Sequence, residues 1–260
     1  MKKYVCITSL NQEYYDKCGK ACIETFRTFW PENVELIVYN EDMVKPPKIR
    51  GVSWMNWDKL GKDYTDFISR SDNSKIIQFS KKAFPVIHAM ANIECDRLIW
   101  IDADVASTAQ MHPRFLEMIS QDDVLSSHFG VWHDWPSDED PARRSFSCET
   151  GFFIVNKNHP MFTLMAARYR EYYVRDLGYD LRRFYDGEVY GAVVAEMETL
   201  GAKLMELNDN YRYKSPIPRS ILGPYIHHYK AGLKDNQTNE SILESINLEK
   251  EQDDDSSDLS

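Results

Sequence analysis

The stretch RLIWIDADVAST, residues 97–108, carries four apolar residues into two aspartates and out again into small side chains. An apolar run of that length reads as a fully buried strand. Positions two apart on a strand point to the same side, so Asp102 and Asp104 are expected to face one bound object at its open end. Two carboxylates that close repel each other, and the pair therefore implies a cation between or beside them.

The chain on either side reads as alternating strand and helix. KKYVCITS (2–9) is a first buried strand, and a helix over about 13–30 follows, with Cys22, Phe26, Phe29 and Trp30 at helical spacing and Pro31 as its stop. VELIVYN (34–40) is a second strand, EDMVKPPKIRG (41–51) a loop and VSWMNW (52–57) a candidate third strand. Helical periodicity over Ser74–Ile93 places Pro85 in a first turn or at a kink. This succession predicts an α/β protein with an open, mostly parallel, Rossmann-like sheet and helices on both faces. Such sheets bind ligands at the carboxyl ends of their strands, where both the break after CITS and the aspartate pair fall.

In the second half, DVLSSHFGVW (123–132) and SCETGFFIVN (147–156) read as strands flanking the polar loop HDWPSDEDPARRS (133–145). Helical patterns follow over 160–175 and 186–200, then a short strand AKLMEL (202–207) and an ending strand or turn, YIHHYKAGLK (225–234). No linker divides the 260 residues, so one domain is expected over 1–235, followed by an acidic, disordered tail over 236–260. Within that tail Ile242, Leu243 and Ile246 have the spacing to dock as a helical turn.

Formal net charge is −10, half of it in the last twelve residues, so nothing resembles a basic face for nucleic acid or an anionic membrane. No apolar run approaches the ~20 residues of a membrane helix, and MKKYVCITSL turns polar too soon for a signal segment. Five cysteines without metal-ligand spacing predict reduced thiols and a cytoplasmic setting, in which the sequons at Asn236 and Asn239 carry no information.

An apolar strand ending in Asp-x-Asp behind an N-terminal α/β half resembles a GT-A-fold glycosyltransferase over roughly residues 1–235. HHYKAGLK (227–234) is similar to the late His-aromatic-x-Gly-x-x-Lys motif of the glycogenin and galactosyltransferase-like group, family 8; Gly232 sits one place late and Lys234 in register. The resemblance implies a hexosyl- or pentosyltransferase taking a nucleotide-sugar donor, UDP-sugar first among them, and a hydroxyl of a glycan or other acceptor. It implies Mn²⁺ or Mg²⁺ held by Asp102, Asp104 and His228, with Asp104 the surer ligand. Carboxylate oxygens suit both ions, and an imidazole tilts the choice toward Mn²⁺. Lys230 and Lys234 would then offset diphosphate charge. Thr8, Asn11 and Tyr14 or Tyr15 correspond to the base and ribose site, Asp42 to a weaker candidate there, and Lys82 or Lys81 to the basic residue directed at the donor. Glu149, with Thr150 and Gly151, corresponds to the sugar pocket, and Asp186 to the acid beneath the reacting sugar.

Structural readings compete at two of these positions, because Asn11 and Asp186 both stand where helix caps stand. Two other functions share the Asp-x-Asp feature. A haloacid-dehalogenase-type phosphatase uses the first aspartate as nucleophile, but its motif usually opens the first strand. The other is a non-catalytic nucleotide- or glycan-binding module.

Overall fold

A computed structural model describes residues 2–133, 145–208, 216–229 and 238–246. Among these residues a seven-stranded sheet forms the centre, from β1 (Tyr4–Leu10), β2 (Glu35–Asn40), β3 (Val52–Asn56), β4 (Arg97–Ile101), β6 (Ser126–His133), β7 (Ser145–Asn156) and β8 (Leu204–Glu206). Its order is β3-β2-β1-β4-β7-β6-β8; β7 runs antiparallel to β4 and β6, and the other pairings are parallel. This is the expected single α/β domain with a mostly parallel sheet. A two-stranded antiparallel ribbon, β5 (Val105–Ser107) with β9 (Ile226–His228), stands beside it.

Alternation along the strands feeds two cores. Cys6, Leu36, Val38 and Ile99 face α2 (Lys20–Phe29), while Val5, Ile37, Tyr39 and Trp100 face α4 (Ser74–Asn92), α6 (Phe162–Val174) and α7 (Asp186–Thr199). In β4 all four apolar side chains are 2% exposed or less, each stabilising the fold by about 1.5–3 kcal/mol. With both faces covered, a strand shows a continuous apolar run rather than alternation, and β4 is legible in sequence for that reason.

Of the two places expected for Pro85, the first turn of the helix is excluded. Pro85 lies in the middle of α4, where a proline leaves the carbonyl four residues earlier without its amide partner. That carbonyl, Lys81 O, accepts instead from Ser9 Oγ of β1 at 3.0 Å. The helix expected over 13–30 is also not uniform: α1 (Gln12–Tyr14) passes through a π-turn (Tyr15–Gly19) into α2. The sequence reading left α3 (Gly61–Arg70) and α5 (Pro113–Met118) unassigned.

The segment from 236 is not all tail. Residues 239–246 form a helix, α8, whose Ile242 and Ile246 are buried in the core cluster of α2, with Leu243 packed beside them. Its three apolar residues at i, i+1 and i+4 are those whose docking the sequence had left open.

Candidate functional site

The end of β4 corrects the strand argument for the aspartate pair. The strand stops at Ile101; Asp102 N–H still donates to Gly151 O of β7 at 2.9 Å, and Val105 N–H then closes a turn onto Asp102 O at 3.0 Å. Asp102 and Asp104 converge because they are the first and third residues of a tight turn, not alternate residues of a strand. The turn throws the chain into β5, which pairs with β9 so that Val105 lies opposite His228, and Tyr229 N–H donates to Asp104 O at 2.9 Å. An imidazole from late in the chain is thereby fixed against the pair. His227, the next residue back, is exposed and lies against the Tyr229 ring.

One ligand atom each from Asp102, Asp104 and His228 lies within 4.8 Å of the others. His228 Nε2 is 3.2 Å from Asp104 Oδ1 and 3.8 Å from Asp102 Oδ2. Asp102 Oδ1 looks the other way, accepting from Trp100 Nε1 at 2.8 Å and facing Lys82 Nζ at 2.7 Å. Glu149 Oε1 lies 3.6 Å from His228 Nδ1, a buried nitrogen that has no hydrogen-bond partner among the described residues. A Cβ on Gly151 would come within 2.7 Å of the imidazole, so the ring occupies the space that glycine leaves.

A second cluster adjoins the first. Lys82 Nζ contacts Asp186 Oδ2 at 2.7 Å and donates to Thr150 Oγ1 and O at 2.9 and 3.0 Å; Thr150 Oγ1 donates to Asp186 Oδ2 at 2.6 Å. Asp186 opens α7 without capping it, since the N-cap is Tyr185 and makes no side-chain cap bond. The helix approaches β7 closely there: a Cβ on Gly187 would lie 2.4 Å from Cys148 O.

Burial and charge act against each other throughout. Burial disfavours the ammonium of Lys82, but Asp102 and Asp186 outweigh it and hold the group above the ordinary lysine value. Burial pushes Asp186 up, and Lys82 more than reverses it, so this carboxyl stays ionised. Asp102 is raised, by burial first and by neighbouring Asp104, against the pull of Lys82. Burial lowers His228 less than Asp104, Asp102 and Glu149 raise it. Among the described residues, Asp102, Asp104, Asp186 and Glu149 gather around Lys82 and the imidazole, a concentration of carboxylates that a divalent cation relieves. Two carboxylates and one imidazole suit Mn²⁺ or Mg²⁺, and a carboxylate beside the outer imidazole nitrogen is the usual support of a ligating histidine. The residues fit such an ion.

Both clusters line one cleft of about 800 Å³. Asn11, Tyr14 and Lys81 line it too; Asn11 Oδ1 also caps α1 by accepting from Tyr14 N–H at 2.8 Å, and Lys81 is paired with Glu41 at 2.6 Å. Thr8 is not on its wall: the side chain is wholly buried within β1, and its hydroxyl has no partner among the described residues. Asp42 is not on it either, and accepts from Gln12 N–H at 2.8 Å, tying the ends of β1 and β2 together. Lys230 and Lys234 lie outside the described residues, as does most of the loop expected over 133–145. The sequence reading missed Trp100, whose place two residues before Asp102 was the available signal, and Glu41. It also missed the half-buried pair Phe79 and Tyr185, ring centroids 4.6 Å apart, on the cleft wall.

No protein-family model and no curated protein matches the sequence. Solved structures do match. The WbbM bifunctional glycosyltransferase, apo, aligns with a TM-score of 0.57 at 12% identity, over 94% of this chain and 50% of that one. The galactosyltransferase LgtC, in complex with donor and acceptor sugar analogs, aligns with a TM-score of 0.54 at 12% identity, over 94% and 95%. The glycosyltransferase GlyE of Streptococcus pneumoniae TIGR4 aligns with a TM-score of 0.50 at 10% identity, over 88% and 55%. The chain therefore spans about half the length of WbbM and of GlyE, and nearly all of LgtC. At these identities the likeness is one of fold, and the fold is that of the GT-A glycosyltransferases.

Proposed function

We propose that the protein transfers a hexosyl or pentosyl group from a nucleotide-diphosphate sugar, UDP-sugar first among them, to a hydroxyl of a glycan or other acceptor. We further propose that it depends on Mn²⁺ or Mg²⁺ and is of the glycogenin-like family 8 kind. One observation carries the reading: Asp102, Asp104 and His228 converge at the carboxyl end of β4 in the same cleft as the Lys82–Asp186 pair.

Asp102 Oδ2, an Asp104 carboxylate oxygen and His228 Nε2 would hold the ion, which supplies Lewis-acid stabilisation of a departing diphosphate when bound. Lys82 presents a permanent positive charge beside it, where negative charge develops. Asp186, ionised and fixed by Lys82 and Thr150, is the residue proposed to stabilise positive charge on a sugar or to orient its hydroxyls. Asn11 and Tyr14, at the β1 end of the cleft, are the residues proposed to meet the nucleoside, with the tyrosine ring offering a stacking face. Glu149 faces His228 Nδ1 rather than any acceptor position the geometry defines, so support of the imidazole is the role proposed for it.

The test is release of nucleoside diphosphate from a panel of nucleotide sugars, with Mn²⁺ and with excess chelator. Metal-dependent release, lost in Asp104→Asn without loss of fold, is the expected result. Full activity in chelator ends this reading, and metal-dependent phosphate release from simple phosphoesters would favour the phosphatase.

A further inference from the structure

The helix behind the proposed nucleoside wall contains a π-turn, and one side chain from the C-terminal segment bonds across it. Through the π-turn, amides bond five residues back rather than four: Lys20 N–H donates to Tyr15 O. The wider turn upsets the regular ladder where it rejoins α2. Ala21 N–H, which a regular helix would send to Lys17 O, donates to Asn239 Oδ1 at 2.8 Å. The amide nitrogen of Asn239 donates back across the turn, to Tyr15 O at 3.0 Å and Asp16 O at 2.6 Å. Ala21 is wholly buried and Asn239 nearly so, so water cannot replace these bonds cheaply. Ile242 and Ile246 of α8 hold the segment down, in the cluster that contains Ala21 and Cys22.

The π-turn directly follows Tyr14, and Asn11 and Tyr14 line the cleft. The π-turn also packs closely against Tyr14 and β1 at Gly19, where an added Cβ would lie 3.3 Å from Tyr14 O and 2.8 Å from Leu10 Cδ2. A change in pitch at the turn therefore moves Tyr14 relative to β1.

We propose that Asn239 is a positioning residue for nucleotide binding. Its amide fixes the π-turn that sets Asn11 and Tyr14 against the nucleoside, so the docked C-terminal segment is part of the binding apparatus although it touches no ligand. This rests on the nucleotide-sugar reading above. It makes no use of the Asp102–Asp104–His228 group, whose ligand atoms belong to other elements.

The test compares Asn239→Ala with Ile246→Ala in the full chain. Ile246→Ala loosens the same segment by cavity formation but keeps the amide in place. Affinity for UDP, GDP, ADP and CDP is measured with saturating Mn²⁺, alongside affinity for Mn²⁺ alone and the melting temperature. Asn239→Ala is expected to weaken the bound nucleotide about tenfold while Mn²⁺ affinity stays within about twofold. Ile246→Ala is expected to lower the melting temperature at least as much and to change nucleotide affinity by less than about threefold. Should Asn239→Ala fail to fold, Asn239→Asp keeps the acceptor for Ala21 but loses both donors, and is read in the same way. Wild-type nucleotide affinity in the Asn239 variants, or a loss that tracks melting temperature equally in both positions, overturns the proposal. A wild-type protein that binds none of the four nucleotides overturns the transferase reading itself, and this inference with it.

Discussion

Gly151→Ala adds one methyl group behind His228 and tests whether the position of that imidazole matters. Gly151 sits in β7, a backbone conformation alanine adopts freely, so the substitution acts through space rather than through strain. The new Cβ would lie 2.7 Å from both Cε1 and Nδ1 of His228. Ordinary carbon contact begins near 3.5 Å, so the ring must withdraw by about 0.8 Å or the strand must give. The strand is poorly able to give, because β7 is hydrogen-bonded to β4 on one side and β6 on the other. The imidazole moves instead, against the β9 ribbon. Metal–ligand distances tolerate only about 0.2 Å. The expected loss of Mn²⁺ affinity is on the order of 10- to 100-fold, the range seen when the support of a ligating histidine is removed. Overpacking should cost about 1–3 kcal/mol of stability, a drop of roughly 2–4 °C per kcal/mol for a chain of this size. Mn²⁺ titration of the metal-free protein, followed by electron paramagnetic resonance of the unbound ion, reads the first quantity, and a thermal melt without metal reads the second. An Mn²⁺ affinity within twofold of wild type, with the destabilisation present, would refute a ligand role for His228.

Two further outcomes follow from the packing. Ser9→Ala should destabilise the protein by about 1–2 kcal/mol in urea denaturation by leaving Lys81 O unsatisfied; in a Pro85→Ala background that cost should largely vanish, because the restored amide takes the carbonyl, and equal costs in both backgrounds would contradict this account. Glu196 is held below its ordinary value near 4.5, first by the hydrogen bond from Arg168 and further by that of Tyr172, against the effect of burial. A depressed carboxylate contributes stability that is present above its unfolded value and lost as pH falls through the folded one. Glu196→Gln should therefore flatten the acid limb of a stability–pH curve below about 4.5 and leave the limb near neutrality unchanged, which melts across that range will check.

Long-range pairing separates what could be read from the sequence from what could not. The strands β1, β2 and β4 were legible because burial on both faces demands continuous apolar runs, and the order of strands and helices then implied an open, mostly parallel sheet. The aspartate pair was legible because small and acidic residues abruptly follow such a run. Its geometry was not: convergence comes from a turn closed by Val105 and Asp102, and nothing in the spacing distinguishes that turn from a longer strand. Thr8 reads as a base-binding residue only until the burial of β1 is known, since a one-residue offset along a strand exchanges cleft for core.

The sequence by itself determined the chain's local preferences: which segments are apolar enough to be strands, where acids gather, and that Ile242 and Ile246 could dock. Only the tertiary structure decided what those segments meet. It alone placed His228 against Asp104 through the β5–β9 ribbon, set Lys82 of α4 between Asp102 and Asp186, closed the gap above Pro85 with Ser9, and seated Asn239 across the π-turn. Each of these is a contact between residues far apart in the chain. Local periodicity carries no term for such a contact, and burial gives each its strength by excluding the water that would otherwise compete for the same hydrogen bonds and charges.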